Sequence, residues 1–91
     1  MFAVTRLRAT GPEGEALAAA VTTLLTELSA RPGFRDGEFG RSADDPDLWA
    51  LVTRWDGVGA YRRALSAAAV KIAGAPVWVH AVDEPGVYVT D

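Results

Sequence analysis

A chain of 91 residues, 49% apolar and 23% charged, has the composition of one small folded domain spanning residues 1–91 and is inconsistent with disorder. Its net charge of −3 lacks the basic footprint that a phosphate backbone requires, and the absence of cysteine excludes disulfides, thiolate metal sites, iron–sulfur clusters and thiol nucleophiles. A domain of this size buries only about two thirds of its unfolded surface, so pairing with a second copy is expected to help it.

Phe2 to Ala9 alternates, with Phe2, Val4, Arg6 and Arg8 on one face and Ala3, Thr5, Leu7 and Ala9 on the other, which predicts a first strand. Charges interrupt its apolar residues, so no export signal is read there. Thr10-Gly11-Pro12-Glu13 then supplies a turn, a proline for the first helical position and an acid for the first turn. Leu17, Val21, Leu24, Leu25 and Leu28 form one apolar stripe along the helix that follows. The most apolar part, Ala16 to Ala30, is too short and too polar to span a bilayer, and a cytoplasmic location is expected.

Arg31-Pro32-Gly33-Phe34 stops that helix: proline disfavours helical geometry before it, and glycine suits the left-handed stop. A second strand, Phe34 to Arg41, carries Gly37 and Gly40, which suggest a bulge or an edge position. The turn-rich Ser42 to Asp47 leads into a third strand, Leu48 to Trp55. Its Trp49, Leu51, Thr53 and Trp55 share one face, and Leu48, Ala50, Val52 and Arg54 the other. Asp56 is the expected N-cap of a helix bearing Val58, Tyr61 and Leu65, continuing or restarting through the alanines to Ala73. Gly74-Ala75-Pro76 is expected to close it, Val77 to Val82 to form a fourth strand, and Val87 to Thr90 a further extended piece.

The order β-α-β-β-α-β predicts an α+β fold, the ferredoxin-like split βαβ sandwich, with a four-stranded antiparallel sheet and helices on one face. The other face, bearing Phe2, Val4, Leu48, Ala50 and Val52, is too apolar for water. A homodimer joined sheet to sheet is therefore expected, with the tail from Val87 crossing to the second subunit.

Phe2 to Leu7, the Arg31-Pro32-Gly33-Phe34 turn, the strand Leu48 to Trp55 followed by Asp56 and Tyr61, and Ser66 in an alanine-rich helix together resemble the antibiotic biosynthesis monooxygenase family. The resemblance implies a dimeric α+β barrel with a pocket in each subunit between sheet and helices. It also implies oxidation of a small aromatic, polyketide-type or quinol substrate by molecular oxygen, with no cofactor: the substrate's own carbanion reduces oxygen. A related branch degrades haem with an asparagine on the first strand and a tryptophan and histidine on the second helix. Here those positions fall at Thr5, Ala64 and Gly74, so that chemistry is not expected.

Within such a pocket His80 is the candidate base, being the only histidine, and Tyr61 the candidate hydrogen-bond donor. Thr5, Trp55, Trp78 and Leu65 are the candidate substrate-binding residues; Trp78 shares a strand face with His80 and would stack on a flat ligand. The blander readings are a structural histidine, core tryptophans and a packed tyrosine with a wetted hydroxyl. Arg6, Arg8 and Arg54 read as ion pairs across the dimer. Asp44-Asp45-Pro46-Asp47 lacks the spacing of a calcium loop, the glycines assemble no phosphate loop, and the serines lack a nucleophile elbow. The competing function is a non-catalytic dimeric barrel that binds a small ligand or answers stress.

Overall fold

The computed structural model describes residues 1–90. Its elements are β1 (Phe2–Arg8), α1 (Pro12–Ser29), β2 (Phe34–Arg41), β3 (Leu48–Trp55), α2 (Val58–Ser66), α3 (Ala68–Trp78) and β4 (Val87–Tyr88). The strands form one antiparallel sheet in the order β2-β3-β1-β4, the ferredoxin-like arrangement. No described helix is long and apolar enough to cross a membrane.

Alternation decides which face of the sheet is covered. Ala3, Leu7, Trp49, Leu51, Thr53 and Trp55 are buried beneath the helices, whereas Phe2, Val4, Leu48, Ala50 and Val52 are half-buried on the open face. The register Val4↔Val52 and Arg6↔Ala50 sets the open-face residues opposite one another. On the covered side α1 contributes Leu17, Val21, Leu24 and Leu28, each burial worth about 2 kcal/mol. Gly14 lets the helix settle on Trp49, since a Cβ there would lie 3.2 Å from the indole. Trp49 stacks on Phe39, with the Arg41 guanidinium 4.3 Å from its ring, and its buried indole nitrogen has no hydrogen-bond partner among the described residues.

The turn after α1 does more than stop a helix. Gly33 has φ 88°, its carbonyl accepts from the Asp56 amide, and a Cβ on it would sit 2.5 Å from that of Ala60. The end of α1 is thereby locked to the start of α2. The sheet irregularity lies between Phe34 and Asp36, ahead of Gly37 and Gly40. Gly37 instead admits Leu25, whose Cδ2 would stand 2.8 Å from an added Cβ.

Three expectations need correction. Asp56 does not cap α2: Gly57 is the N-cap, without a side-chain hydrogen bond, and Asp56 pairs with Arg35. Helix formation also does not end at Pro76. The chain breaks at Ala67, which is extended, and restarts as α3, where Pro76 lies inside the last turns and Val77 is fully buried. Val70, Gly74 and Val77 bury at spacings of four and three, and this helical burial prevails over the β-branched look of Val77 to Val82. Of that predicted strand, only Ala81 bridges β1, at Leu7, while the Val82 amide donates to the Arg6 carbonyl.

The regular fourth strand is the later piece, Val87–Tyr88, which pairs with Ala3 and Phe2 of its own chain. Gly86 allows that approach, since its carbonyl accepts from the Val4 amide and a Cβ would meet the Val4 oxygen at 2.5 Å. The third correction concerns the strand arginines, which pair within the chain: Arg6 with Glu84, Arg8 with Asp45 and Arg54 with Asp36.

Candidate functional site

Between β1 and the two short helices lies a cavity of about 570 Å³, lined by Thr5, Tyr61, Leu65, Lys71, Ala75 and Trp78. Each wall follows from a simple periodicity. Tyr61 and Leu65 are four apart on α2, so they stand one above the other. Lys71, Ala75 and Trp78 are spaced by four and three on α3 and share a face. Thr5 lies on the helix side of β1 between the buried Ala3 and Leu7. Ala67, extended with ψ 136°, separates α2 from α3.

The interior is apolar, with few polar groups. Thr5, Tyr61, Leu65 and Trp78 are half-buried, while Lys71 and Ala75 are exposed and form the mouth. Burial pushes the Tyr61 phenol above its ordinary range, so at neutral pH it is a neutral hydrogen-bond donor. Its ring leans on Trp55, centroids 5.6 Å apart. The Trp78 indole folds back over Gly74, where a Cβ would lie 2.4 Å from its Nε1. The volume falls in the range of small-molecule sites.

Of the residues expected at a site, the structure brings together Thr5, Tyr61, Leu65 and Trp78. Trp55 stands behind Tyr61, 1% exposed, its indole N–H donating to the Thr53 hydroxyl at 2.9 Å, so it backs the cavity without lining it. His80 lies outside. Its Nδ1 is 2.9 Å from the Arg8 carbonyl, its backbone accepts from the Arg8 amide, and Glu13 is 4.0 Å from the same ring nitrogen. The expected pairing of His80 with Trp78 fails because two residues apart means opposite sides of a helix end and not one face of a strand.

Lys71 and Ala75 were missed by the sequence reading. Their signal is the spacing 71, 75, 78, visible only once the helix is carried through Pro76. A smaller concavity of about 330 Å³ lies on the open side of the sheet, among Arg6, Glu38, Leu48, Ala50 and Val52.

The sequence profile of the antibiotic biosynthesis monooxygenase family matches residues 1–75. The chain belongs to that family. The matched stretch holds five of the six cavity residues, leaving out Trp78.

Solved structures agree on the monooxygenase-family fold. SnoaB, a cofactor-independent oxygenase from Streptomyces nogalater, superimposes with a TM-score of 0.84 at 19% identity, over 99% of this chain and 91% of its own. A candidate antibiotic biosynthesis monooxygenase from Chloroflexus aurantiacus gives 0.73 at 25% identity, over 91% and 84%. One from Nitrosomonas europaea gives 0.79 at 19%, over 94% and 84%. No curated protein sequence is significantly similar to the chain.

Proposed function

We propose that this protein is a cofactor-independent monooxygenase acting on a small aromatic, polyketide-type or quinol substrate. The observation that carries the reading is the cavity itself, in which Tyr61, Leu65 and Trp78 surround an apolar space with one neutral phenol and one threonine hydroxyl. Family membership and the likeness to SnoaB support oxygen chemistry in a protein of this fold.

The reaction balances without a reductant. For a phenol with an activated ring CH₂, loss of one proton gives a delocalised carbanion. It passes one electron to dioxygen, and the radical pair combines to form a C–O bond. The resulting hydroperoxide loses water, the remaining C–H proton leaving with it, so that CH₂ and O₂ become C=O and H₂O. The protein's part is to exclude water, hold the ring and donate a hydrogen bond from Tyr61 to the oxygen that carries the charge. Two copies joined through the apolar open face are the assembly in which we place this chemistry.

Oxygen uptake by chelator-treated protein over anthrones, naphthols and hydroquinones tests the proposal. Turnover above the uncatalysed rate is expected, with Tyr61→Phe about tenfold slower for loss of one hydrogen bond. His80→Ala should keep its kcat. Absence of uptake across the panel overturns the proposal. The second reading, a non-catalytic ligand-binding or stress-responsive barrel, is favoured by one fact: no histidine or carboxylate lines the cavity.

A further inference from the structure

Lys71 is the only lysine in the chain, and it stands at the mouth of an otherwise apolar cavity. Four of the arginines are paired with carboxylates, Arg6, Arg8, Arg35 and Arg54, whereas Lys71 has no carboxylate partner among the described residues. Nor is it placed for the sake of its helix. It closes the first turn of α3, its amide donating to Ala67, at the end where the backbone dipole is positive and a cation is disfavoured. That turn has no acidic residue and no side-chain cap. Lys71 is thus the one cationic side chain on the cavity wall, in a protein whose net charge is −3.

We infer that Lys71 is the specificity-determining residue of this cavity: it selects aromatic ligands carrying an ionised phenol or enol oxygen and holds that oxygen at the mouth. The inference rests on the cavity being the ligand site, as proposed above, but not on oxygen chemistry. It also supplies what the cavity lacks. With no histidine or carboxylate on its wall, a cation that favours the ionised ligand replaces a dedicated base for a ligand already in its enol form: the enol O–H bond breaks, its electron pair is shared between oxygen and the reacting carbon, and the proton goes to bulk water. An opposite charge within a few ångströms lowers such a pKa by about 1–3 units. Tyr61, the other titratable group lining the cavity, remains protonated and donates to the oxyanion without repelling it.

The probe is 2-hydroxyanthraquinone, an already oxidised tricycle whose colour reports its ionisation, with 2-methoxyanthraquinone as the isosteric ligand that cannot ionise. On binding wild type, the ionisation midpoint of the hydroxy probe should fall by about one unit or more. Lys71→Met should abolish the shift and Lys71→Arg retain most of it, with the methoxy probe bound equally by all three. Acetylation of the folded wild-type protein, which neutralises Lys71 without requiring a variant to fold, should erase the shift too. An unchanged midpoint in wild type, a shift that survives both Lys71→Met and acetylation, or failure of both probes to bind overturns the inference. A Lys71-dependent shift without oxygen uptake on the substrate panel would leave it standing and remove the oxygenase reading.

Discussion

Trp78 owes its place in the cavity to a residue that is not there: the missing side chain of Gly74. Gly74→Ala puts a methyl group 2.4 Å from the present position of the indole nitrogen, so the ring must swing away. The expected outcome is weaker binding of a flat aromatic ligand by roughly tenfold, with altered tryptophan emission and little loss of helix content, since alanine favours helices over glycine. Titration of the two proteins with 2-methoxyanthraquinone, followed by fluorescence, checks it. Tyr61 carries a second residue-scale prediction. Its phenol is raised in the folded state, so its contribution to stability is complete below the ordinary tyrosine pKa and is lost as pH rises through the folded value. Ultraviolet titration should show one late-ionising tyrosine that Tyr61→Phe removes. These residues also show how far the sequence could be read. Thr5, Tyr61, Leu65 and Trp78 were legible as a set, but reading Trp78 on a strand made His80 its neighbour and hid Lys71.

Elements reached different degrees of legibility for a physical reason. Local signals reveal an element when the backbone itself is constrained. Arg31-Pro32-Gly33-Phe34 needs a proline φ and a left-handed glycine, and the structure has the latter at Gly33, φ 88°. The strand alternation of Leu48 to Trp55 likewise appears as a buried and an open face. Where propensity and packing disagree, packing decides. Val77 to Val82 looks extended, yet Val70, Gly74 and Val77 bury their helical face and carry α3 through Pro76. Asp56 has the residue type of a cap, but Arg35 claims its carboxylate at 2.7 Å. The α1 stop also predicts a stability cost. Gly33→Ala combines an unfavourable φ with contact against Ala60, and should destabilise by about 2 kcal/mol and lower Tm by roughly 10 °C. Gly40→Ala, with open space around the new Cβ, should change Tm little. Thermal unfolding of both variants against wild type makes the comparison.

At the scale of the molecule, one face of the sheet is finished and the other is not. Phe2, Val4, Leu48, Ala50 and Val52 are only half-covered in the single chain, and two copies meeting there would cover them. Sedimentation at micromolar concentration should show a homodimer, and Val52→Lys, placing a charge at the centre of that face, should leave a folded monomer. A wild-type protein that sediments as a monomer refutes the assembly. The edges of the sheet have a consequence of their own. β2 lines one edge with Arg35, Asp36, Glu38 and Arg41 and is kinked between Phe34 and Asp36; β4, at the other, is only two residues long. The charges on the first and the shortness of the second both hinder a further strand from being laid there. Association through the face uses up the surface that drives it, whereas association through an edge would regenerate itself without limit. The fold therefore favours an assembly that terminates and disfavours a fibre.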